Sequence, residues 1–335
     1  MLDGYDAVLL DLDGTIMHGA QLVGEAPDVV DELRQAGRAV QFVTNNASRS
    51  PDEVARHLTA LGVRAAPEEV LTSAQAAVEL LAARLSADAA VLVVGSESLA
   101  AAVRSVGLRP VSAASDQPAA VVQGHSPGTG WAQLAEACLA IRGGATWIAC
   151  NVDRTLPTER GLLPGNGAMV AALRAATDRE PTVAGKPARS LLDTAVQRTG
   201  ALRPLVVGDR LDTDIAGARA AGLDSLLVLS GVSDAAALLA APPEHRPTHL
   251  GMDLRVCREP LANALIQPRP GWRVELDSDR TLLLHSDGNA GDPLDALRTL
   301  CALWWVEHIG PVQVQVGDGA AGAVVDALGL GEIIR

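Results

Sequence analysis

From residue 5 to residue 231, short and nearly uninterrupted apolar runs alternate with amphipathic helical stretches. "YDAVLLDLDG" (5–14), "AVQFVTNN" (39–46), "AVLVVGS" (90–96), "AAVVQGH" (119–125), "TWIACN" (146–151), "PLVVGD" (204–209) and "SLLVLSG" (225–231) have the length and texture of strands. Strands apolar on both sides cannot border water, so they belong to a parallel sheet with helices on each face. The intervening segments carry helix punctuation. "APDVVDELRQAG" (26–37) has Pro27 near its start and Gly37 at its end. "SPDEVARHLTALG" (50–62) opens with Ser50, Pro51 and Glu53, a capping box. Helices are also expected over 131–144, 168–177, 189–199 and 213–222, with a Gly/Pro-punctuated loop at 156–167.

Past residue 267 the texture changes. Strands at 272–276 and 281–285, a helix at 293–308, a strand at 312–317 and a small-residue helix at 319–328 read as a small α+β module. The chain is long enough, at 335 residues and 48% apolar, for several cores, and its 2% aromatic content makes those cores aliphatic. A net charge of −13 argues against nucleic acid or an anionic membrane as partner. No apolar run reaches the ~18–20 residues that span a bilayer, and the first residues lack a signal-peptide pattern. Cys138, Cys150, Cys257 and Cys301 are scattered, which suits free thiols in a reducing cytoplasm better than disulfides or zinc.

Ligands of open α/β sheets bind beyond the carboxyl ends of the strands. Asp11 and Asp13 follow the first strand, Thr44, Asn45 and Asn46 the second, and Asp209 a later one, with Asp212 and Asp214 close behind. Carboxylates drawn to one edge repel each other unless a counter-ion joins them. Mg²⁺, which takes oxygen ligands, fits, and such a site suits phosphoryl transfer.

The series DLDGT, Thr-Asn at the second strand, a lone lysine and GDRLDTD resembles the haloacid dehalogenase superfamily of phosphatases. Residues 141–173 are similar to the large α/β cap of its 4-nitrophenyl-phosphatase and phosphoglycolate-phosphatase branch. Within that branch the extra tail makes the chain look closest to the actinobacterial glycerol-3-phosphate phosphatases, whose tail is similar to a truncated GNAT-type acetyltransferase fold. The resemblance implies a Rossmann-like parallel-sheet core (1–75 and 183–267), an inserted α/β cap that sets specificity (76–182) and a GNAT-like α+β module (268–335).

It also implies roles. Asp11 becomes the nucleophile and Asp13 the general acid and base. Thr44 and Asn45 bind phosphate, and Mg²⁺ sits on Asp11, Asp13 (through its carbonyl) and Asp209, with Asp214 behind it. Lys186 is the one lysine among 27 basic residues. It falls where the family keeps a phosphate-clamping lysine, whose compact ammonium approaches carboxylate and phosphate together in a way a planar guanidinium does not. Asn46 reads as a turn former or a further ligand, Asp212 as a helix N-cap, and His18 as a substrate contact or a surface residue.

In the cap, His125 stands where relatives usually carry aspartate, and Trp131 where an aromatic, often tyrosine, is usual. His125 either faces the substrate or lies on an exposed loop. Asn151 and Asp153 match the branch as cap-loop positioners, while Arg154 and Arg160 reach a substrate carboxylate or sit in solvent. The tail lacks the Arg/Gln-x-x-Gly-x-Gly pattern of active acetyltransferases, so it reads as a packing or homodimer-forming module anchored by Trp304 and Trp305, with regulatory ligand binding the alternative. The expectation is a cytoplasmic Mg²⁺-dependent phosphatase of a small metabolite, glycerol 3-phosphate first, then 2-phosphoglycolate, then a nucleotide or pyridoxal phosphate. A non-catalytic metabolite-binding protein and an acetyltransferase are the rivals.

Overall fold

The computed structural model describes residues 1–158, 160–288 and 291–331. They form two compact units, one built from Met1–Val40 with Ala201–Arg335 and the other from Gln41–Gly200.

In the first unit, strands Ala7–Leu10, Pro204–Gly208, Asp224–Val228 and His249–Gly251 pair in parallel in that order. The Val8, Leu9 and Leu10 side chains are all buried, as are Leu205, Val206 and Val207 beside them. Helices Ala26–Gln35 and Ala216–Ala221 supply the covering layers, burying Val29, Val30 and Leu33 from the first. The register ends with Asp11 just past one strand and Asp209 just past its neighbour, so the parallel pairing itself delivers two carboxylates to one edge. The Asp11 amide still donates to the Val207 carbonyl at 2.9 Å, which holds it in that register.

The C-terminal residues fold as the expected α+β module. Trp272–Ser278 pairs antiparallel with Thr281–Ser286, which pairs in parallel with Gln313–Val316, and helices Pro293–Trp304 and Gly319–Ala327 pack on the sheet. Its apolar interior is not separate from the parallel sheet's. Leu227, Leu238, Leu239 and Leu250 share one cluster with Trp272, Leu282, Leu297, Leu300 and Trp304. Arg298 crosses that junction at 4% exposure, donating to the Leu250 carbonyl at 2.7 Å and pairing with Asp295 at 2.7 Å. Trp305 Nε1 donates to the Leu239 carbonyl at 3.1 Å with the Arg246 guanidinium over its ring. Trp304 and Trp305 therefore serve internal packing.

The second unit holds a five-stranded parallel sheet in the order Thr182–Val183, Thr146–Ala149, Ala120–Gln123, Ala90–Val94, Arg109–Val111. Phe42–Thr44 pairs in parallel with Val70–Thr72 in the same unit. The capping box of helix Pro51–Ala60 forms as read, the Glu53 amide donating to Ser50 Oγ at 3.3 Å and the Ser50 amide to Glu53 Oε2 at 2.7 Å. The 156–167 stretch differs from the loop expected of it. Thr155–Thr158 and Gly161–Pro164 pair as an antiparallel hairpin, with Gly161 at φ +108° opening the second strand. Its prolines and glycines conceal a strand pair that is too short and too exposed to show alternation.

Candidate active site

In the first unit, Asp11, Asp209 and Asp214 each place a carboxylate oxygen within 4.8 Å of the other two. Asp11 is half-buried, Asp209 is 0% exposed, Asp214 is also buried, and Asp13 lies exposed two residues on. Asp214 reaches the cluster because Leu211–Ile215 forms one widened helical turn, closed by the Arg210 amide donating to Asp214 Oδ2 at 3.1 Å. That turn corrects the N-cap reading of Asp212. Arg210 occupies the capping position, and the Asp212 carboxylate pairs with the Arg210 guanidinium at 2.8 Å.

Room for the carboxylates comes from missing side chains. A Cβ on Gly14, whose φ is +89°, would lie 2.3 Å from Asp209 Oδ2, and one on Gly208 would lie 2.2 Å from Asp214 Cγ. The turn after the third strand completes the enclosure, its Val232 amide donating to Asp209 Oδ2 at 2.7 Å. His18, on the short hairpin Met17–His18 and Gln21–Leu22, donates from Nε2 to the Ser230 carbonyl at 2.7 Å.

Three carboxylates this close, two of them buried, repel one another unless a counter-ion joins them. Hard anionic oxygens of three carboxylates from two chain segments are a donor set that suits a divalent hard cation such as Mg²⁺, so the residues fit that ion.

The second unit gathers the amide and ammonium groups. Thr44 ends its strand buried, its Oγ1 accepting from the Asn46 amide at 3.1 Å, and Asn46 Oδ1 accepts from the Ser48 amide at 2.8 Å, the turn-forming role. Asn45 grips the backbone of Lys186 from both sides. Its Oδ1 accepts from the Lys186 amide at 2.8 Å and its Nδ2 donates to the Lys186 carbonyl at 2.9 Å. The same Nδ2 faces the Asp153 carboxylate at 3.3 and 3.4 Å. Gly185 makes the grip possible, since a Cβ there would stand 2.6 Å from Asn45 Oδ1. Lys186, 2% exposed, donates from Nζ to the Val43 carbonyl at 3.1 Å.

Asn151 Nδ2 and Ser73 Oγ both donate to the Asn45 carbonyl, at 2.7 and 2.5 Å, and Asn151 Oδ1 accepts from the Asp153 amide at 3.3 Å. Beside them Cys150 is inert, burial pushing its thiol up to about 12. His125 is half-buried, Nδ1 lying 3.2 Å from Ser48 Oγ, which donates to the His125 carbonyl at 2.9 Å. Trp131 (84% exposed), Arg154 and Arg160 are exposed. Thus Asn45, Asn151, Asp153 and Lys186 form one network.

Sequence reading passed over Ser73 and the turn Ser230–Ser233. The second had a signal: "SG" directly follows a buried strand at the same sheet edge as Asp209.

Residues 8–109 match the haloacid dehalogenase-like hydrolase family, residues 183–257 a second, HAD-hydrolase-like family, and residues 269–330 the GCN5-related N-acetyltransferase like domain. D-glycerol 3-phosphate phosphatase of Mycobacterium tuberculosis is 50% identical over 331 residues, 96% of this chain and 93% of that protein. A 5'-nucleotidase of Bacillus subtilis is 38% identical over 231 residues, 68% of this chain and 89% of its own. Among solved structures, glycerol phosphate phosphatase from Mycobacterium tuberculosis in complex with magnesium superposes with a TM-score of 0.93, at 50% identity and 97% coverage of both chains.

Proposed function

The chain belongs to the haloacid dehalogenase-like hydrolases, and on that premise we propose that it is a Mg²⁺-dependent phosphatase of D-glycerol 3-phosphate acting through an aspartyl-phosphate on Asp11. The observation that carries this reading is the Asp11, Asp209 and Asp214 carboxylate cluster at the edge of an apolar sheet. The choice of substrate is supported by identity that runs through the tail as well as the catalytic segments.

Asp11 and Asp209, with the Asp13 carbonyl, would hold Mg²⁺ and Asp214 would back them. Bound there, the cation neutralises phosphate charge and stabilises the charge that develops in transfer. A carboxylate oxygen of Asp11 attacks phosphorus as the bond from phosphorus to the glycerol oxygen breaks. Asp13 gives its proton to that leaving oxygen, then takes one from a water whose oxygen attacks the phosphoaspartate. The Asp11–phosphorus bond breaks, and inorganic phosphate and free Asp11 result. Thr44 and Lys186 bind the phosphate oxygens. Asn45, given its two bonds to the Lys186 backbone, holds Lys186 in place.

We assign residues 1–75 and 183–267 to the catalytic core, 76–182 to a specificity cap carrying His125, Asn151, Asp153, Arg154 and Arg160, and 268–335 to the GNAT-like module. Family matches that resume at residue 183 and again at residue 269 support these divisions. No helix among the described residues is long and apolar enough to cross a membrane. Four free cysteines support a cytoplasmic protein, and exposed Leu303, Val306 and Ile309 on and just after the tail's first helix support a homodimer.

The test is phosphate release from glycerol 3-phosphate, 2-phosphoglycolate, pyridoxal phosphate and nucleoside monophosphates, with Mg²⁺ or EDTA. Glycerol 3-phosphate should show the highest kcat/KM, and EDTA or Asp11→Asn should each remove at least ~10³-fold of the rate. Release that survives either treatment refutes the mechanism. Preference for another ester refutes the substrate alone.

A further inference from the structure

The turn that follows the strand Asp224–Val228 touches both acidic loops. Ser230 Oγ donates to the Gly14 carbonyl at 2.7 Å, one residue beyond Asp13. The Val232 amide donates to Asp209 Oδ2 at 2.7 Å, and the Ser233 amide to the Asp209 carbonyl at 3.1 Å. Ser233 Oγ accepts from the Leu211 amide at 3.1 Å. Between these contacts sits Gly231, where a Cβ would lie 2.0 Å from Asp209 Oδ2 and 2.5 Å from its Cγ.

We propose that Ser230–Ser233 is a positioning clasp that fixes the Asp209 carboxylate against the Asp11 loop and thereby sets the affinity of the site for Mg²⁺. The inference rests on the Mg²⁺ reading given above. Its physical basis is preorganisation. Like charges on Asp11, Asp209 and Asp214 favour rotation of the carboxylates away from one another, and a charge-assisted bond from a backbone amide opposes this. The amide donor commits one carboxylate oxygen and fixes the plane of the group before any cation arrives. Gly231 is required because its absent side chain is the space that carboxylate occupies. Ser230 ties the same turn to Gly14, so the spacing of the two acidic loops is set by one segment.

Mg²⁺ binding to the purified full-length protein is measured by calorimetry, and competing Mn²⁺ by electron paramagnetic resonance, neither depending on turnover. Gly231→Ala should weaken both by about tenfold or more, the size typical of groups that orient metal ligands. Its kcat at saturating Mg²⁺ should fall far less than its apparent Mg²⁺ affinity. Ser230→Ala should weaken binding by a smaller factor, and Ser230→Thr, which keeps the hydroxyl, should restore it. Gly231→Ala with wild-type affinity overturns the proposal. If that variant does not fold, equal affinities for wild type, Ser230→Ala and Ser230→Thr overturn it instead. Wild type that binds no Mg²⁺, or Asp209→Asn that binds it undiminished, removes the metal reading itself and is distinct from both results.

Discussion

Replacing Asn45 by alanine separates two ways in which this residue could serve the reaction. The carboxamide closes a ring with the Lys186 backbone through bonds of 2.8 and 2.9 Å and makes longer contacts of 3.3 and 3.4 Å to Asp153. Two well-formed hydrogen bonds contribute roughly 1 kcal/mol each, and deleting the acceptor of a buried amide adds about 1–3 kcal/mol. The expected loss is therefore about 3–5 kcal/mol, or a fall in Tm of about 6–20 °C for a unit of this size. Lys186 would also lose its setting, and a misplacement of about 1 Å costs on the order of 10²-fold in rate.

The assay pairs differential scanning calorimetry with kcat, KM and inhibition by inorganic phosphate for Asn45→Ala and Asn45→Asp. A clamp predicts lower Tm and lower kcat in both, with Asn45→Asp the worse because it sets a carboxylate against Asp153. Unchanged Tm and kcat with a raised inhibition constant for phosphate would refute the clamp and make Asn45 a phosphate ligand.

Lys186→Arg should keep the wild-type fold by circular dichroism yet lose at least ~10²-fold in kcat/KM, since a guanidinium at a 2% exposed position cannot take the place of an ammonium at 3.1 Å from the Val43 carbonyl. Near-wild-type turnover would end the steric argument. A chain cut after residue 267 should be insoluble or aggregate on purification, because it uncovers Leu227, Leu239 and Leu250 of the shared cluster; a monodisperse, active truncation would show the tail to be dispensable. Arg298→Met should cost far less stability than Asp295→Ala, which takes the 2.7 Å partner from a buried guanidinium, leaving it the Leu250 carbonyl and a 3.7 Å contact to Asp292, and also unpairs Arg269 from Asp295. Chemical denaturation of both variants ranks them, and the reverse order would count against the burial argument.

Most of the fold was legible because its strands are apolar on both faces and its helices carry explicit caps. Helix Pro51–Ala60 opens with the capping box its sequence spells, and the tail helix expected at 293–308 spans Pro293–Trp304. What escaped was structure whose signal is spread over few residues. The hairpin Thr155–Thr158 and Gly161–Pro164 offers four residues a side, with Leu162 71% exposed, so neither alternation nor burial marks it. The fusion of the tail with the sheet escaped for a different reason. A composition shift near residue 267 marks a change of architecture, but it carries no information on whether two apolar faces meet, and Leu250 with Leu297 meets in one cluster.

The site divides along the same physical line. Asp11, Asp209 and Asp214 were findable because side-chain chemistry at strand ends announces itself in the residue type. The groups that hold them were not, since backbone amides and missing Cβ atoms have no chemical signature of their own. Val232 contributes only its amide to Asp209, and any residue but proline could do so. Gly14, Gly208 and Gly231 contribute empty space, 2.0–2.3 Å from a carboxylate atom once a Cβ is drawn. A glycine in a sequence first suggests a turn. Here Gly208 and Gly231 have no positive φ that would require one, and the cause is the close approach of a carboxylate. It follows that alanine at Gly208 or Gly231, a substitution that helix and strand propensities would favour, should be among the most damaging single-methyl changes in the chain.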